Sequence, residues 1–127
     1  MKYYNPDKPL NISEWLVLDD EQRKILVYNF HESIGAEFQD YGALTMHSYM
    51  HVVVENQIAA NVDLVSETVT KLVRQGLSRH EALHAISAII VEDIFDMLKG
   101  SKSEFCLKKY RRKLEKITAK RWRKGQY

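Results

Sequence analysis

The sequence predicts an all-α fold: a single-domain bundle of about five helices with an extended N-terminal arm. Three observations carry that expectation. Apolar residues recur at helical spacing along most of the chain. The periodic stretches open on Ser or Asp and close on Gly, the residue types that cap helices at their two ends. No alternating apolar–polar run is long enough to make a useful strand.

Taken in order, residues 1–12 contain Asn5-Pro6 and Pro9 and read as an extended arm that wraps the domain. Ser13 is placed to cap a short turn through Trp15 and Leu18. Asp19 and Gln22 have capping-box spacing, and Ile25, Leu26, Val27, Phe30 and Ile34 form an apolar stripe that ends at Gly35. A loop around Asp40-Tyr41-Gly42 leads into a helix over about 44–60. After a break at 61–63, a helix over 64–75 is stopped by Gly76. Ser78 caps a long helix reaching about Lys99, ended by Gly100. Ser103 opens the last helix, whose apolar positions are Cys106, Tyr110, Leu114 and Ile117. Connections this short make neighbours antiparallel, so helices 44–60 and 78–99 run parallel and start at the same end of the bundle.

The 127 residues, 45% hydrophobic and 28% charged, suit one soluble globular domain. No apolar run approaches a membrane span, and the opening Met-Lys-Tyr-Tyr-Asn-Pro has no secretory apolar core, so no membrane association is expected. The lone Cys106 cannot form an internal disulfide and reads as a small packed hydrophobe. A reducing, cytoplasmic setting follows as the expectation.

The histidines carry the functional signal. His47 and His51 stand four residues apart near the start of one helix, and His80 and His84 do so near the start of its parallel partner. A four-residue step puts two imidazoles on one face, one turn apart, where they can grip one ion. Among five histidines, on the order of 0.15 such pairs are expected by chance. Glu55, one turn beyond His51, is the candidate carboxylate ligand, and Gln57 is near it. Glu92 lies about 12 Å along the helix from His84 and cannot share its ion. The expected cofactor is therefore zinc or another divalent transition metal. The competing reading is a metal-free polar network in which histidines bond a carboxylate such as Glu55. His31, alone at a helix end, reads as a solvent-facing or C-terminal capping residue.

His80-Glu81-Ala82-Leu83-His84 also fits H-E-x-x-H, the zinc metalloprotease pattern, with Glu81 as candidate catalytic base. The same letters make Ser78-Arg79-His80-Glu81 a capping box, with Glu81 reaching back to the Ser78 N–H. Zincin proteases use an edge strand that this sequence lacks, so capping is favoured. A di-iron site needs E-x-x-H twice, and Glu81-Ala82-Leu83-His84 occurs once.

The stretches "MHSYMHVVVENQIA" and "GLSRHEALHAISAIIVEDIF" resemble a bacterial domain-of-unknown-function family with the pattern L-H-x-x-x-H-x-x-I-x-E-Q, then D-R-H-E-A-x-H, then a distal Glu. The likeness covers about 44–98, with Met46 in place of the leucine and Ser78 in place of the aspartate. It implies a shared core in which His47, His51, Glu55, Gln57, His80, Glu81, His84 and Glu92 are marked, and it implies no activity.

The net charge of +2 hides an asymmetry. Residues 102–127, the basic C-terminal helix and tail, hold eleven Lys/Arg against two Glu, whereas the preceding 101 residues carry a net −7. The favoured reading is a solvated helix whose bases complement an acidic body. The alternative is a binding module for nucleic acid or protein, with Lys108, Arg111, Arg112, Lys120, Arg121 and Arg123 as the contacting bases. Function is thus expected to be transition-metal binding through two His-x3-His pairs, structural or hydrolytic.

Overall fold

A computed structural model of the chain describes residues 1–100 and 104–127. Among the described residues there are seven helices and no strand: α1 (Ile12–Leu16), α2 (Asp20–Ser33), α3 (Tyr41–Ala59), α4 (Val65–Arg74), α5 (Arg79–Leu98), α6 (Leu107–Lys116) and α7 (Ala119–Arg123). They fall into two compact units, Met1–Ala60 and Asn61–Tyr127. No helix among these residues is long and apolar enough to cross a membrane.

In the first unit the arm enters the core. Tyr4 packs with Trp15, Val27 and Val52, and Met1, Leu10, Leu26, Phe30 and Ala59 close around them. The cap of α1 is Asn11, not Ser13: Asn11 Oδ1 accepts from the Glu14 N–H at 3.2 Å, and the Ser13 hydroxyl merely donates to that same oxygen. Helix α2 opens with both halves of the capping box, since Asp19 Oδ1 accepts from the Gln22 N–H and Gln22 Oε1 accepts from the Asp19 N–H. Its buried stripe differs from the expected one. Val27 and His31 are buried, while Ile25 and Ile34 are exposed. Helix α3 starts a turn earlier than the apolar pattern suggests, because Asp40 Oδ1 accepts from the Ala43 N–H at 2.8 Å and turns the supposed loop into a cap. Trp15 Nε1 donates to Asn56 Oδ1 at 2.9 Å, fixing α1 on α3.

The second unit begins where Asn61 and Leu64 take positive φ, breaking the chain before α4. Gly76, at φ +108°, ends α4 in a conformation that side-chain-bearing residues rarely adopt. Ser78 Oγ accepts from the Glu81 N–H at 3.0 Å and opens α5. The distal third of α5 is less buried than its apolar composition suggests, with Phe95 and Leu98 exposed. The expected cap at Ser103 lies outside the described residues, and α6 begins after Cys106. The single final helix of the sequence reading is in fact two. Ile117 turns extended, and Thr118 Oγ1 accepts from the Arg121 N–H at 3.1 Å to start α7. Tyr110, Leu114 and Ile117 are buried as the stripe requires, and Cys106 is half-buried.

Candidate metal centre

In the first unit the sequence places three imidazoles side by side. Helix α3 carries His47 and His51 one turn apart, and their Nε2 atoms lie 3.2 Å from each other. The last turn of α2 adds His31, whose ring centroid lies 4.7 Å from that of His47 and 5.0 Å from that of His51. Phe38 flanks His31 and His47, and Phe30 stands edge-on to His31. His31 is 2% exposed and His51 3%, so the solvent-facing reading of His31 is wrong; the residue lies in the last turn of α2 with its ring against a helix carbonyl. It follows Val27 by four residues, on the buried side of α2.

Both buried rings are oriented through Nδ1. That atom of His31 lies 2.9 Å from the Val27 carbonyl oxygen, to which it donates, so the neutral ring presents the Nε2 lone pair. Burial holds this imidazole below the usual histidine pKa, against the smaller raising effect of the Val27 carbonyl. The Tyr4 hydroxyl donates to Glu55 Oε2 at 2.6 Å and lies 3.3 Å from His51 Nδ1. Since the phenolic hydrogen is directed at Glu55, His51 Nδ1–H donates to the phenol oxygen and its Nε2 faces that of His47. Glu55 is fully buried, in the interior as expected, and accepts from the arm's Tyr4.

In the second unit the Ser78 cap sets the first turn of α5, which carries His80 and His84 with ring centroids 4.3 Å apart. Both are half-buried. Glu81 points elsewhere. It is exposed, and its Oε2 accepts from the Trp122 indole N–H at 2.7 Å. The Ser78 half of the capping box is present, while the Glu81 carboxylate, expected to bond the Ser78 N–H, is taken by α7. Glu92 is exposed.

In the second unit His80 and His84 offer ring nitrogens within 4.8 Å of each other. Among the described residues of the first unit one group can hold a metal ion: His31, His47 and His51, each offering a ring nitrogen, all within 4.8 Å of one another. Glu55 and Glu81 are not members of it. No protein-family model, curated protein or solved structure matches the chain.

The candidate bases of the C-terminal segment fall into two sets. Arg111 pairs with Asp63 and Glu115, and Lys113, outside the candidate set, pairs with the buried Asp93 at 3.2 Å. Lys108, Arg112, Lys120, Arg121 and Arg123 are exposed.

Proposed function

We propose that the protein binds one transition-metal ion, zinc first, in its first unit through ring nitrogens of His31, His47 and His51. The observation that carries this reading is the gathering of these three imidazole nitrogens within 4.8 Å. Zinc–imidazole bonds of about 2.0–2.1 Å put two nitrogens on one tetrahedral ion about 3.3–3.4 Å apart. The 3.2 Å between the Nε2 atoms of His47 and His51 fits that spacing. Two lone pairs facing at this distance repel each other unless a proton or a cation lies between them, and a cation satisfies several rings at once.

The donor set also speaks to the metal. It contains no thiolate and no carboxylate, so it suits zinc, copper, nickel or iron rather than calcium or magnesium. Metal-binding histidines usually donate their other ring N–H to a carbonyl or carboxylate. His31 does so to the Val27 carbonyl, and the Nδ1 of His51 meets the Tyr4 phenol, which in turn donates to the Glu55 carboxylate. A further protein ligand closing on the ion would make a structural centre. A coordination position left to water would allow hydrolytic chemistry. Glu81 is a poor base for such a step, since its carboxylate is exposed and bonded to Trp122.

The test is a titration of metal-stripped protein with zinc, followed by cobalt substitution. Saturation at one ion per chain, with cobalt giving the visible spectrum of a nitrogen-rich site, is the expected result. Failure to bind zinc, cobalt, nickel or copper would contradict it.

A further inference from the structure

We infer that the surface formed by α6 and α7 binds the phosphate backbone of a nucleic acid, independently of any metal. The sequence there works against its own helices. Over 107–123 nine Lys/Arg stand against a single acid, Glu115. Neither helix has an acid in its first turn. Instead Lys108 and Lys109 sit at the start of α6, at the positive end of the helix dipole. Lys108 with Arg112, Lys109 with Lys113, and Arg112 with Lys116 are like charges four residues apart, an arrangement that destabilises a helix. Local rules broken without evident gain to the fold point to function.

The fold compensates for part of this charge and leaves the rest. Arg111 is paired with Asp63 and Glu115, and Lys113 with Asp93. The Lys71 ammonium donates to the carbonyl oxygens of Leu114 and Glu115, closing the end of α6. Among the described residues no acid pairs with Lys108, Arg112, Lys116, Lys120 or Lys124. Lys108, Arg112 and Lys116 form one exposed row at intervals of about 6 Å. The other side of the platform is anchored: Tyr110 and Leu114 are buried, Gln75 Oε1 accepts from the Ala119 N–H, and Trp122 bonds Glu81. Evenly spaced cations along one helix suit a polymer of regularly spaced phosphates.

Two other polyanions fit less well. A membrane-surface helix lays a continuous apolar face into the lipid. Here the apolar face of α6 is already buried, and Leu107 and Tyr127, near opposite ends of the surface, are its exposed large apolar residues. An acidic protein partner would call for a buried aromatic or aliphatic anchor at the centre of the contact, and this row offers charge alone.

The experiment is a fluorescence-anisotropy titration of the intact chain against labelled duplex and single-stranded 20-mers, with phosphatidylglycerol vesicles and polyglutamate as the competing polyanions. Oligonucleotide binding at 50 mM salt should fall on the order of a thousandfold by 200 mM if six bases engage phosphates. In the combined variant Lys108→Gln, Arg112→Gln, Lys116→Gln the log–log salt slope on duplex should shrink by about 3. The variant's Tm should be unchanged or raised, because the lost charges were locally unfavourable. Neutralising Lys2 and Lys8 should leave binding as it was. The proposal is overturned by no oligonucleotide binding at 50 mM, by binding undiminished in the triple variant, or by vesicles or polyglutamate bound in preference. A lowered Tm in the variant would make the row structural and overturn it equally.

Discussion

Helices α3 and α6 use polar residues in opposite ways. The nineteen residues of α3 carry one charged side chain, Glu55, and it is fully buried. The ten residues of α6 carry seven, and most of them face solvent. On α3 two imidazoles stand one turn apart, with His51 set against the Tyr4 phenol; on α6 the polar groups are long cations on flexible stems. Positioned ring nitrogens select a small cation by geometry. Exposed cations attract any polyanion and are screened by salt. The first arrangement depends on the integrity of the fold around it, and the second barely does.

The largest effect that separates the two regions is metal removal. Zinc at one hundred times its Kd stabilises the folded chain by about 2.7 kcal/mol, read as a rise in Tm that a chelator reverses. Oligonucleotide binding should not respond to the chelator. If both properties vanish together, the two regions are not independent.

Next comes Tyr4→Phe. It removes the hydroxyl that bonds buried Glu55 and lies against His51 Nδ1, which should cost about 1–3 kcal/mol. Loss of such an outer partner should also weaken zinc binding by about 10- to 100-fold. Chelator competition checks the second figure. An unchanged zinc affinity would disconnect the arm from the centre.

The pH dependence of the metal-free protein is a third probe. His31 is held below the ordinary histidine pKa of 6.5 by burial. The unfolded chain therefore takes up this proton first as pH falls, which favours unfolding. The stability linked to His31 is fully present above about pH 6.5, declines as pH drops toward the depressed folded value, and declines no further below it. Urea melts of wild type and His31→Phe from pH 8 to 5 should show the decline in the first and a weaker one in the second. Zinc release should follow the same direction, since imidazole must be neutral to bind.

The smallest effect expected is that of Glu81→Gln. The amide oxygen can still accept from Trp122, so stability should change by under about 1 kcal/mol, measured by thermal melts. A loss of zinc binding in this variant would place Glu81 closer to the ion than its exposed carboxylate implies.

The sequence made the helical class and the four paired histidines legible because both depend on local spacing. Capping chemistry was legible at Asp19, Gln22 and Ser78, where the side chain bonds a backbone group three residues away. It was misread at Ser13, where a better acceptor two residues earlier took the cap, and missed at Thr118, where a continuous apolar stripe hid the break. His31 and Tyr4 were missed for a different reason. Each reaches the imidazoles of α3 from a distant segment, and no local period records that approach. Trp122 and Glu81 belong to the same class, 41 residues apart and joined by one hydrogen bond.

The central claim is most directly tested by elemental analysis of protein purified without an affinity tag or chelator, alongside His47→Ala and His51→Ala. One transition-metal ion per chain is predicted, zinc first, with occupancy lost in both variants. Wild-type protein that carries no stoichiometric metal and gains no thermal stability from added zinc would contradict it.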